Sequence, residues 1–144
     1  PLNDRIETLI GRSRKNRQLM SVTEITGKKS ITNYKTIKVF NIKNIPKISF
    51  LECKLETGRT HQIRVHMAYK GNPLLGDQQY GKKNLKFKKI NEDFEEKIKV
   101  LNRQALHAKS LGFIHPTSKK LIIFESKLPK DFKKILDLLN KLNH

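Results

Sequence analysis

Over residues 48–57 apolar and charged side chains alternate. Leu51, Cys53 and Leu55 fall on one side and Glu52, Lys54 and Glu56 on the other, the period-two pattern of a half-buried strand. Before it, residues 19–26 read as a strand closed by the turn chemistry of Gly27-Lys28-Lys29. Residues 31–40, rich in β-branched and aromatic side chains, read as a second strand. Residues 1–18 are polar, with Arg12, Arg14, Lys15 and Arg17 near Gly11, and read as a loop or ragged edge. After Gly58 the period changes. Ile63 and Met67, four apart, mark the buried stripe of a helix that Thr60 can cap, running to about Lys70 and stopping at Gly71. Residues 72–81 form an ordered loop punctuated by Pro73, Gly76 and Gly81, and the lysine-rich residues 82–99 read as a partly helical surface excursion. Residues 106–114 and 120–126 make a hairpin across His115-Pro116-Thr117-Ser118-Lys119. Pro129 and Asp131 open a closing amphipathic helix bearing Phe132, Ile135, Leu136, Leu139 and Leu142. The order β-β-β-α-β-β-α predicts an α+β fold, a mostly antiparallel sheet with flanking helices.

Composition adds a partner class. The 144 residues suit one domain, and 31 Lys+Arg against 13 Asp+Glu leave a formal charge of +18. So large an imbalance favours a polyanionic partner, above all nucleic acid. Twenty-four of those cations are lysines, and Ile and Asn are also abundant, as an AT-rich genome would give, so the charge is not specific by itself. No apolar run of membrane-spanning length occurs, and Pro1-Leu2-Asn3-Asp4 lacks the order of a signal peptide. A single cysteine excludes an internal disulfide and fits a reducing, cytoplasmic setting, with Cys53 expected in the core. A start at Pro rather than Met leads to the expectation of a longer parent protein.

The chemistry gathers at the strand-to-helix corner. His61 and Arg64, three apart, share a helix face. An arginine at 64 in a lysine-dominated chain suits bidentate recognition of a carboxylate or phosphate, the alternative being an ordinary solvent-facing side chain. Arg59 and Thr60, at a helix N-terminus, would add charge and N–H donors for a phosphate, and Gln62 would read a base edge or be solvated. His61 and His66 lie on different helix faces with no acid between them, and His107 and His115 have no cysteine companions, so no metal site is expected. Asp77 reads as a brace for its own turn rather than as an acid. The corner thus offers cations and a scaffold, but no convincing nucleophile or base.

The block Glu56-Thr57-Gly58-Arg59-Thr60-His61-Gln62-Ile63-Arg64-Val65-His66-Met67, then Gly71-Asn72-Pro73-Leu74-Leu75-Gly76-Asp77 and Tyr80-Gly81, resembles the RluA-type pseudouridine synthases. Gly11-Arg12-Ser13, Asn16-Arg17, Met20 and Gly27-Lys28 extend the resemblance toward the N-terminus. Arg103-Gln104-Ala105-Leu106-His107-Ala108, Phe113-Ile114-His115-Pro116 and Leu128-Pro129 extend it toward the C-terminus. The resemblance implies the fold of that catalytic domain, in part, and an enzyme that isomerises selected uridines in RNA without metal or cofactor. Large-subunit ribosomal RNA is the common substrate of the family and transfer RNA the next. It implies further that Arg64 pairs with an essential aspartate, carried by a His-Arg-Leu-Asp-x-x-Thr-Ser-Gly motif that these residues lack, while Arg12, Arg17 and Arg59 contact phosphates. Residues 1–144 would then be the C-terminal portion of one catalytic domain, inactive alone. The rival readings are a non-catalytic basic RNA-binding module and, more remotely, a nuclease using His61 and His107.

Overall fold

A computed structural model of the chain describes residues 2–43, 45–81 and 91–144. Four strands form one antiparallel sheet: β1 (Asn3–Arg12), β2 (Met20–Thr23), β3 (Lys28–Phe40) and β4 (Ile48–Leu55), in the order β2-β1-β3-β4. Helix α1 (Gln62–Tyr69) packs on β2 and β3. Helix α2 (Glu92–Leu101) follows, then the hairpin of β5 (Ser110–Ile114) and β6 (Leu121–Glu125), and finally α3 (Lys130–Leu142). Among the described residues no helix is long and apolar enough to cross a membrane.

The first strand corrects the reading of residues 1–18. β1 is central, pairing with β3 through Ile6↔Thr32 and with β2 through Ile10↔Val22. Its signal is a period-two alternation: Ile6 and Ile10 are buried, with Arg5 and Glu7 exposed on either side of Ile6. The arginines that suggested a loop begin only where the strand ends, and residues 13–19 do form one. On β4 the expected face is only partly covered, with Leu51 half-buried, and the other side also contributes to the core. Phe50 and Ile48 join the core, Cys53 is half-buried, and Leu55 is 47% exposed. A register shift between Thr36 and Lys38 leaves Ile37 exposed and brings Lys38 opposite Phe50 and Phe40 opposite Ile48.

The main core lies between that end of the sheet and the two later helices. Phe40, Phe94, Leu101, Ile135, Leu138 and Leu139 are buried together, with Phe50 and Leu75 packed against them. Fully burying side chains such as these contributes about 1.5–3 kcal/mol apiece. Asn91 caps α2, its Oδ1 accepting from the Phe94 N–H at 3.0 Å, so the end of the lysine-rich stretch is helical; its residues 82–90 lie outside the described residues. The loop at 72–81 is tied to this layer where the Ala105 N–H donates to the Leu75 carbonyl at 2.7 Å.

Candidate active-site corner

The turn from β4 into α1 is pinned from within by Gln62. Its Nε2 donates to the Ile31 carbonyl (2.9 Å) and to Thr32 Oγ1 (3.0 Å), while its Oε1 accepts from Thr57 Oγ1 (2.8 Å) and the Arg59 N–H (3.0 Å). Gln62 is 2% exposed with its whole amide engaged, so it neither reads a base nor is solvated, contrary to both sequence expectations. The helix cap is also displaced by one residue. Thr60 is exposed outside the helix, and His61 takes the cap position in the left-handed region at φ 54°, without a side-chain cap bond. The Gln62 bonds fix the turn that a capping hydroxyl would otherwise hold.

Arg64 emerges on the next turn, 7% exposed. Its Nε donates to Asp77 Oδ2 at 2.8 Å and its Nη2 to Asp77 Oδ1 at 2.9 Å, and Nη2 donates again to Gln79 Oε1 at 2.8 Å. Asp77 Oδ1 also accepts from the backbone N–H groups of Gln79 (3.1 Å) and Tyr80 (3.0 Å). Asp77 therefore braces its turn as expected, but it pairs with Arg64 as well. Burial alone would raise the Asp77 carboxyl; the Arg64 bonds, the two backbone donors and the guanidinium charge outweigh it and hold the carboxyl below its ordinary range. In return the hydrogen bond to Asp77 lifts the Arg64 pKa against the opposing pull of burial.

Tyr80 completes the corner. Its ring lies 4.9 Å from the Arg64 guanidinium carbon, a cation–π contact. The Met20 N–H donates to the Tyr80 hydroxyl at 3.0 Å, and that hydroxyl shares a 2.8 Å hydrogen bond with His61 Nδ1. Burial, then the Arg64 charge, lowers the His61 pKa; Arg12 adds to the effect and Asp77 opposes it. Arg12, His61 and Arg64 thus share one electrostatic neighbourhood. Arg12 Nη1 donates to the carbonyl of the exposed Arg17 at 3.3 Å. Arg59 is held against β3, its Nε donating to the Lys29 carbonyl at 3.2 Å.

Beneath the corner lies a network that the sequence did not reveal. His66 has no exposed surface, with Nδ1 2.8 Å from Thr32 Oγ1 and Nε2 2.9 Å from Thr8 Oγ1. Thr32 accepts from Gln62, so its own hydrogen is available to His66 Nδ1, leaving Nε2–H to donate to Thr8. His66, expected only to miss the zinc spacing, is a structural link from α1 to β1 and β3. Among the described residues no group of three or more His, Cys, Asp or Glu is placed to hold a metal ion.

The corner can present a fixed guanidinium, a weakly basic imidazole and an exposed arginine loop to an anionic ligand. Its own carboxylate, Asp77, is sealed and saturated with donors, so it is no free nucleophile. Fold and corner together define a class, and comparison with known proteins fixes it. The family profile for RNA pseudouridylate synthases matches residues 2–69. A ribosomal large subunit pseudouridine synthase D of Neisseria meningitidis is 41% identical over 140 residues, 96% of this chain and 35% of that protein. An uncharacterized RNA pseudouridine synthase of Bacillus subtilis is 42% identical over 137 residues, 94% of this chain and 39% of the relative. The solved structure of a human RNA pseudouridylate synthase domain-containing protein superposes with a TM-score of 0.66 at 22% identity, covering 97% of this chain and 60% of the other, and supports the fold. The chain belongs to the RluA-type pseudouridine synthase family. It spans well under half the length of the curated relatives it matches.

Proposed function

We propose that the protein to which these residues belong isomerises specific uridines in RNA to pseudouridine, in the cytoplasm and with large-subunit ribosomal RNA as substrate. The observation that carries the reading is the free edge of Arg64. Asp77 and Gln79 occupy Nε and Nη2, whereas Nη1 has no protein acceptor among the described residues. No buried side-chain nitrogen or oxygen there lacks a partner, so Nη1 is accessible rather than sealed. A carboxylate arriving at that edge would be held ionised by a guanidinium already fixed in place. An isomerisation consumes and releases nothing, so the reaction calls for no co-substrate.

The target uridine must leave its stack, at a cost of a few kcal/mol. Phosphate contacts from Arg12, Arg17 and Arg59 offset that cost by releasing counterions, with Thr60 and His61 at the corner beside them. Gln62 takes no part, being buried. The aspartate that meets Arg64 belongs to a portion of the catalytic domain outside residues 1–144. The hairpin supports this: Leu111, Phe113, Ile114, Leu121, Ile123 and Phe124 are 41–62% exposed, an apolar surface of the kind a domain normally covers.

The test compares the full-length protein with residues 1–144 alone, each incubated with unmodified large-subunit ribosomal RNA and with transfer RNA. Pseudouridine formed in the ribosomal RNA by the full-length protein only is the expected result. Conversion confined to transfer RNA would replace the substrate. Binding of RNA with no isomerisation by the full-length protein would leave the non-catalytic RNA-binding module as the better reading.

A further inference from the structure

Arg64 is the one buried arginine among the described residues, and its surroundings leave it a single open edge. Asp77 and Gln79 take Nε and Nη2, and the Tyr80 ring covers the guanidinium. The loop that delivers these residues is itself pinned. Gly76 sits at φ +73° against the Arg103 carbonyl, where a Cβ would have no room, and the Gly81 N–H donates to the Asp77 carbonyl at 3.0 Å. At its hydroxyl Tyr80 reaches out of the loop to the Met20 N–H. Met20 follows the exposed arginine segment, which closes on itself where the Ser13 N–H donates to the Leu19 carbonyl at 2.9 Å.

We propose that Asp77, Gln79 and Tyr80 are positioning residues that hold Arg64 with its Nη1 edge toward the reacting nucleotide, and that the Tyr80 hydroxyl registers the RNA-contacting segment 12–20 against that edge. The proposal rests on Arg64 being the carboxylate-pairing arginine argued above. It gives Tyr80 two separable tasks: the ring acts on Arg64, and the hydroxyl acts on the segment 12–20 that includes Arg12 and Arg17. It also makes Asp77 an acid that never meets the substrate.

The test uses the full-length protein. Asp77→Asn removes the ion pair but keeps an acceptor for the loop amides. A misplacement of about 1 Å can cost about a hundredfold in rate, so kcat is expected to fall about tenfold or more while KM for RNA holds within about twofold. Added to Arg64→Lys, the same change should cost little more, because it acts through Arg64. Tyr80→Phe should raise KM with kcat nearly retained, whereas Tyr80→Leu should lower kcat as well. An activity-independent reading comes from side-chain NMR of the same protein: the Arg64 Nε–H should be protected from exchange in the wild type and lose protection in Asp77→Asn. A protected Nε–H in a protein that does not isomerise uridine would count against the proposed function and leave the clamp standing. Independent, multiplicative losses in the double variant, kcat losses that merely follow lower thermal stability, or equal effects of Phe and Leu at position 80 would overturn the positioning roles.

Discussion

His66 is a titratable side chain with no access to water, held between two threonine hydroxyls on neighbouring strands. Protonation would place a second donor against Thr32, whose oxygen already accepts from Gln62, in a site that burial has desolvated. Burial accordingly pushes the His66 pKa below its ordinary 6.5. The native state then refuses a proton that the unfolded chain accepts, so the stability His66 contributes is complete above pH about 6.5 and declines as pH falls toward the native pKa. Urea unfolding of the full-length protein between pH 8 and pH 5 should show this decline, and His66→Gln should flatten it; an unchanged slope in the variant would contradict the assignment. At this scale the sequence was legible in part. The spacing of His61 and Arg64 and the choice of arginine at 64 singled out the corner where Arg64 meets Asp77, Gln79 and Tyr80. The partners did not show, because Thr8, Thr32 and Asp77 reach the helix only through tertiary folding, and no local period links positions so far apart.

At the scale of elements, each device that shapes the corner is a turn rather than a helix or strand. The His61 cap works through the Gln62 side chain, and the 72–81 loop works through its contact with the Arg103 carbonyl. Gly76→Ala would force a side chain into a left-handed backbone against that carbonyl, and backbone strain of this kind costs about 1–3 kcal/mol. Because the loop delivers Asp77 and Tyr80, the variant should lose thermal stability and turnover together; a stable variant with full turnover would show the loop to be less constrained than it looks. β4 and α3 were legible from hydrophobic period, β3 from its β-branched and aromatic content and the hairpin from its turn residues, and their order gave the α+β class. β1 was not, because Arg5 and Glu7 on its open face and the arginine cluster beyond it masked an alternation resting on two isoleucines. β4 was found from its alternation, but Ile48 and Phe50, which pack on the helical layer, lie outside the side of the strand that the alternation marked.

Across the whole molecule, the charge of +18 and the exposed apolar hairpin place complementary demands on what surrounds the chain. The proposed RNA substrate would answer the first, and the rest of the proposed catalytic domain the second. Between them stands a guanidinium fixed on three sides and open on the fourth. The most direct measurement is uridine-to-pseudouridine conversion by the full-length protein, wild type against Arg64→Ala, with turnover and RNA affinity determined on the same preparations. An arginine that stabilises the reacting carboxylate predicts a loss in kcat of at least about a hundredfold, given what transition-state electrostatic contacts contribute, with RNA affinity within a few-fold of wild type. Equal losses in kcat and affinity, or wild-type turnover, would show that Arg64 is a phosphate contact or a structural residue, and that the corner is not one side of an active site.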